Sequence, residues 1–249
     1  MAAATNNDRK NWTEAFRAMR LLLGNPADTV QVFRVMKALN SGTAARNYRR
    51  LIETPEGGRV AYKRDELVGK LTNREWLAQF APGTVGAAYR AFLARTGFSA
   101  DGLEAVSKEV ERDDRDEQTP FAWMGRRERD LHDIWHTLTG YPADDPLGEL
   151  CLVAFSYAQS RGLGWAFIAL MGSLKSLTEP HARDVLRAVW EGYRHGRESA
   201  WLHNEDIDAL FAEQIDAARK RLNIRRPLAY ETAQEKLSAA PASWLVTAA

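Results

Sequence analysis

His132 and His136 stand four residues apart, Asp133 follows the first of them, and Glu149 comes thirteen positions after the second. Two imidazoles and two carboxylates form a donor set for a borderline divalent cation, zinc foremost and manganese or iron(II) as well. With a coordination position left open, such an ion acts as a Lewis acid on a bound substrate. On an α-helix His132 and His136 are about 40° apart around the axis, with Asp133 about 60° beyond His136, so the three share one face. The plainer alternative is a pair of histidines that each bond a neighbour, with Asp133 orienting an imidazole instead of binding an ion.

The elements that must position these residues are marked in the chain. Gly140-Tyr141-Pro142 stops the first helix, and Asp145-Pro146 restarts a second as cap and first residue. Glu149 then falls in the first turn of the returning helix, and the short connection makes an antiparallel hairpin in which it faces back toward His136 and Asp133. Two other motif classes fit poorly. Zinc peptidases carry glutamate directly after the first histidine, where this chain has Asp133. Phosphohydrolases built on a His-Asp dipeptide need an upstream histidine, and none precedes His132.

Beyond the hairpin, 3–4 spacing of apolar residues predicts helix almost throughout. One pair of short extended arms, 50–54 and 59–63 around Pro55, Gly57 and Gly58, is the exception. Thr72 is expected to cap a helix over 73–80, and one amphipathic helix is expected over 207–222. Residues 109–117 form a charge cluster that reads as a loop or a frayed helix end. The expected architecture is all-α, a single domain of about seven or eight helices of typical length. Its divisions are an N-terminal helix or arm over 1–24, a helical domain over 25–227 and a loosely held tail over 228–249.

Composition narrows the partners. Hydrophobic residues make up 45% and charged residues 27% of 249, and the net charge is +1, so nucleic acid is not expected. Cys151 is the single cysteine, which fits a reducing compartment. The apolar run 162–174 is too short to cross a bilayer, and the N-terminal residues resemble neither a secretory signal nor a transit peptide. These features place the protein in the cytoplasm, at most touching the inner face of a membrane.

The string HDIWHTLTGYP with the Gly148-Glu149 pair resembles the zinc motif of the fourth coenzyme Q biosynthesis protein family. APGTVGAAYRAFLARTGFSADGL, GELCLVAFSYAQSRGLGWAF and AARKRLNIRRP are similar to further segments of that family, so the likeness runs from Asn25 to Pro227. The resemblance implies an all-helical protein that binds zinc through His132, Asp133, His136 and Glu149. It also implies a role in ubiquinone synthesis, namely removal of the C1 carboxyl from a polyprenylated 4-hydroxybenzoate, coupled to oxidation of that carbon. It makes the protein a carbon-carbon lyase that works peripherally at a membrane with other ubiquinone-biosynthesis enzymes. His136 and Glu149 are separated by one residue more than the family pattern leaves, which keeps Asp145 in play as the alternative fourth ligand.

Asp133 is the candidate proton carrier. The stretch from Cys151 to Leu174, with Phe155, Tyr157, Trp165, Phe167 and Met171, is a candidate lining for a prenyl tail, although such stripes also build cores. Arg49 and Arg50 are candidates for holding a carboxylate, whereas His181, His195 and His203 read as structural. The alternative function is a non-enzymatic isoprenoid-lipid-binding scaffold that organises other ubiquinone-biosynthesis enzymes. A hydrolase of unrelated substrates would require a polar pocket. Prenyl length, oxidant and homo-oligomer formation are left open.

Overall fold

Capping residues divide the chain more finely than its apolar periodicity suggests. The computed structural model describes residues 9–26, 28–97 and 118–239, together with Gly102, Glu104, Ala105 and Val110. Apart from Val110, the charge cluster at 109–117 lies outside the described residues. Fourteen α-helices and one 3-10 turn are described: α1 (Trp12–Gly24), α2 (Thr29–Leu39), α3 (Thr43–Leu51), α4 (Pro55–Lys63), α5 (Leu67–Leu71), α6 (Arg74–Ala78), α7 (Val85–Thr96), α8 (Pro120–Thr139), α9 (Pro146–Ser160), α10 (Leu163–Ser176), α11 (Ala182–Glu198), the 3-10 turn Leu202–Asn204, α12 (Ile207–Ala212), α13 (Ile215–Arg221) and α14 (Leu228–Ala239). The all-α expectation holds, and no strand occurs among the described residues.

The helix count exceeds seven or eight because several helices run for only five to nine residues. The expected extended arms around Pro55 are instead the end of α3 and the whole of α4. Thr54 accepts a hydrogen bond from the Gly57 N–H at 3.1 Å and Pro55 takes the first helical position, a helix start where a turn was expected. Asn73, not Thr72, caps α6 by accepting from the Trp76 N–H at 3.0 Å. The single helix expected over 207–222 is broken at Glu213–Gln214, where the Val85 N–H donates to the Glu213 carbonyl and the Ile215 N–H donates to Gly83.

The largest core cluster joins Leu131, Ile134, Trp135 and Leu138 of α8 to Cys151, Leu152 and Phe155 of α9 and to Val185, Ala188 and Val189 of α11. At Gly192 and Gly196, α11 approaches α9 so closely that a β-carbon would run into the Cys151 and Phe155 carbonyl oxygens. A second cluster ties α1 to α2 and α10. Of the tail expected to be loose over 228–249, residues 228–239 are α14, with Tyr230 and Ala233 buried in the main core, and 240–249 lie outside the described residues. Its core-facing residues Ala229, Tyr230, Ala233 and Leu237 include two alanines, so the apolar periodicity is weak.

His203, at 0% exposure, is enclosed by Trp201, stacked at 4.7 Å, and Trp135, edge-on at 5.2 Å. Burial, followed by the Arg127 and Arg50 charges, pushes its imidazole down to about 3. Between that value and the ordinary 6.5, only the unfolded chain takes a proton here, so stability is lost as pH falls through this window. His203→Phe is expected to flatten the acid limb of a pH–stability curve by up to about 1.4 kcal/mol per pH unit. Glu128, whose carboxyl burial raises, works in the opposite direction in both proteins. Denaturant midpoints at pH 4, 5 and 6 in the two proteins check the difference.

Candidate metal centre

The Thr119 hydroxyl and Pro120 open α8, and Gly140 closes it in the left-handed region at φ 80°, its N–H donating to the His136 carbonyl at 3.0 Å. The Asp145 carboxylate opens α9 by accepting from the Gly148 N–H at 2.8 Å, with Pro146 as first residue. A side chain at Gly148 would collide with the Pro142 carbonyl. The glycine lets the turn fold down onto the start of α9 and brings Glu149 to the end of α8. His136 Nε2 then lies 3.0 Å from Glu149 Oε2, and His132 Nε2 lies 3.7 Å from Oε1. One ligand atom from each of the three residues falls within 4.8 Å of the others.

Three observations fit this triad to a divalent cation. The His136 Nδ1–H donates to the Tyr141 carbonyl at 2.8 Å, which fixes the ring and directs Nε2 toward Glu149, as for a metal-bound imidazole. His132 Nε2 is buried without a hydrogen-bond partner, a state that costs about 1–3 kcal/mol unless something binds there. The donor set, two nitrogens and one carboxylate, is that of many catalytic zinc sites. Both imidazoles are enclosed while the Glu149 side chain is 43% exposed, so the triad is open on one flank.

The electrostatics follow from this enclosure. Burial pushes His132 down to about 4 despite the nearby Glu149 carboxylate. Burial alone would raise the Glu149 carboxyl, but His136 and His132 outweigh it and hold the group at about 2. Burial would lower His136 as well, yet Glu149 and the Tyr141 carbonyl raise it above its ordinary value. A cation at His136 Nε2 would compete with a proton for the same atom.

Asp133, expected as a fourth ligand, is not part of the triad. Its carboxylate is not among the ligand atoms that come within 4.8 Å of one another. It is buried, which raises its carboxyl to about 7 against the attraction of His136. Asp145, the alternative ligand, is committed elsewhere. Besides capping α9, it accepts from the Tyr230 hydroxyl at 2.8 Å and from Gln234 Nε2 at 3.2 Å. Tyr230→Phe removes one charge-assisted bond to this cap and is expected to destabilise the protein by roughly 1.5–3 kcal/mol. Thermal unfolding should show a drop of about 3–12 °C.

Other sequence candidates disperse. Arg50 lies over the Trp201 ring at 4.2 Å, and Arg49 is exposed. Of the expected prenyl lining, Cys151, Phe155, Trp165 and Phe167 are buried core, while Tyr157 and Met171 are half-buried. The apolar side chains of α10 that do face outward are Leu170 and Leu174, followed by Leu177 just beyond it, with Trp190 exposed on α11. Their spacing on one helical face was legible, but they lie beyond the aromatic residues that drew the reading. Tyr141 orients His136 through a backbone carbonyl, which leaves no mark in sequence.

A sequence model of the family described as Coenzyme Q (ubiquinone) biosynthesis protein Coq4 matches residues 11–228. The chain belongs to that family. Among its Coq4 relatives, "Ubiquinone biosynthesis protein coq4, mitochondrial" of Pyrenophora tritici-repentis is 30% identical over 183 residues, 72% of this chain and 58% of that protein. The COQ4 homolog of Nematostella vectensis, also named mitochondrial, is 30% identical over 145 residues, 57% of this chain and 66% of its own length. The match thus spans less than two thirds of either curated Coq4 relative. A crystal structure from Nostoc punctiforme, assigned provisionally to ubiquinone biosynthesis, shares the fold with a TM-score of 0.63 at 23% identity, covering 87% of this chain and 99% of the other. No helix among the described residues of this Coq4-family chain is long and apolar enough to cross a membrane.

Proposed function

We propose that this protein acts in ubiquinone synthesis as a metal-dependent, C1-decarboxylating lyase of a polyprenylated 4-hydroxybenzoate. The observation that carries the reading is the open-flanked triad of His132, His136 and Glu149, in a chain whose family is named for that pathway. A bound divalent cation, zinc by its donor set, supplies Lewis acidity toward an oxygen of the substrate. Tyr141 holds His136 in the donating orientation, and Glu149 reaches the triad from the cap at Asp145. In the redox-neutral form of the reaction the C1 carboxylate leaves as carbon dioxide and one proton takes its place. Asp133, whose carboxyl burial raises to about 7, is our candidate for carrying that proton. The oxidative form replaces the carboxylate by hydroxyl and draws on an external oxidant, since zinc does not change redox state.

Leu170, Leu174 and Leu177, exposed at helical spacing, give this protein an outward apolar face suited to the cytoplasmic side of a membrane, the place this reading gives to the prenylated substrate and the other enzymes of the pathway. The same face favours a second reading, an isoprenoid-binding scaffold without chemistry of its own. Incubation of the zinc-loaded protein with carboxyl-labelled prenylated 4-hydroxybenzoate separates the two. Release of labelled carbon dioxide, lost in Asp133→Asn while zinc content stays unchanged, is the expected result. Bound but intact substrate would leave the scaffold.

A further inference from the structure

We propose that Trp165 is a positioning residue for His132, and that Glu128 holds Trp165 in place, so that together they set how tightly the triad binds a divalent cation. This rests on the metal reading above. The His132 ring lies parallel to the Trp165 indole, with centroids 5.2 Å apart and an interplanar angle of 5°. The indole Nε1–H donates to Glu128 Oε1 at 3.1 Å. The second carboxylate oxygen accepts from Asn47 Nδ2 at 3.3 Å, and the same amide donates to the Ser160 carbonyl at 3.1 Å. Glu128 precedes His132 by one turn on α8, whereas Trp165 comes from α10. The contacts form a closed loop that leaves α8 at Glu128, crosses to α10 and returns to α8 at the ligand itself. His136 is oriented by a carbonyl; His132 is oriented by this indole.

The choice of an acid at position 128 carries the inference further. A glutamine would accept the same indole N–H, and burying a carboxylate at 8% exposure is unfavourable without a compensating role. When Glu128 is ionised, its charge polarises the N–H bond and makes the indole face more negative. Such a face attracts a positively charged partner stacked on it. An imidazole with a cation on Nε2 is that partner, and a neutral imidazole is not, so the arrangement favours the loaded site over the empty one. The His132 Nε2 atom, buried with no protein hydrogen bond, is the atom available for the ion.

The test uses the full chain, with zinc affinity measured by competition against a chromophoric chelator and ligand geometry read from the visible bands of the cobalt(II)-substituted protein. Trp165→Phe keeps an aromatic face and loses the N–H; Glu128→Gln keeps an acceptor and loses the charge. Each is expected to weaken zinc binding by about 10-fold, and Trp165→Leu by as much as about 100-fold, with displaced cobalt bands. A purely structural role would lower the unfolding temperature of the metal-free protein and leave the cobalt spectrum unmoved, and that result overturns the proposal. If Trp165→Leu fails to fold, the two conservative variants decide: unchanged affinity and spectrum in both refute it. Failure of the wild-type protein to bind zinc or cobalt would remove the metal reading as well, whereas wild-type binding with unaltered variants removes only the positioning role.

Discussion

His136→Ala should weaken zinc binding by on the order of 10²- to 10³-fold. Apparent free energies for structural zinc run to about 10–16 kcal/mol, roughly 2.5–4 kcal/mol for each ligand of a four-ligand site, and each 1.4 kcal/mol is tenfold. His136 is the ligand for which this estimate applies most directly. Its Nε2 is the nitrogen nearest the Glu149 carboxylate, at 3.0 Å, and its other ring nitrogen is already tied to the Tyr141 carbonyl at 2.8 Å. Removing the ring deletes a ligand that needs no reorganisation to bind. It also leaves the Glu149 carboxylate without its closest partner. Metal content after dialysis and chelator competition give the readout, with His195→Ala, a buried histidine outside the triad, as control. Equal zinc affinity in His136→Ala and wild type would move the metal site elsewhere.

The second large effect is expected from a single methyl group. Gly192→Ala places a β-carbon where the Cys151 carbonyl oxygen already lies, and the obstacle is backbone, which cannot rotate aside. Overpacking typically costs about 1–3 kcal/mol, and the rigid contact puts this case at the upper end, near 3 kcal/mol. For a chain of this size the unfolding temperature should fall by about 6–12 °C. Because α9 also carries Glu149, the strained variant should bind zinc more weakly as well. Gly69→Ala supplies the contrast. Nothing lies within 4 Å of its missing β-carbon, so alanine in α5 is expected to be neutral or to stabilise by up to about 1 kcal/mol. Calorimetry on the pair separates contact from propensity: a Gly192→Ala protein as stable as wild type would show that α9 and α11 do not pack as closely as described.

The parts of the site that were legible in sequence share one property: their determinants are local. Thr119-Pro120, Gly140 and Asp145-Pro146 set helix ends through neighbours within a few residues, and helical spacing alone put His132 and His136 on one face. Glu149 could be placed because a short turn leaves little freedom in where the next helix starts. Asp133 lies outside the triad, and helical spacing, which put it on the same face, does not say how far a short carboxylate reaches. The α4 helix was missed for a related reason: Pro55, Gly57 and Gly58 are turn residues by habit, and only the Thr54 cap distinguishes a helix start from a hairpin. What sequence could not show is what comes from far along the chain. Trp165 meets His132 across helices, Asn47 reaches Glu128 from α3, and Tyr230 reaches Asp145 from α14.

That last contact bears on the order in which the protein is made. A ribosome delivers both histidines and Glu149 well before it delivers Tyr230 and Gln234, whose bonds steady the aspartate that starts the glutamate's helix. Until those late residues dock, the helix that carries Glu149 starts from a cap that lacks two of its bonds. Damage confined to the last described helix would therefore reach the position of Glu149 without touching a single donor atom.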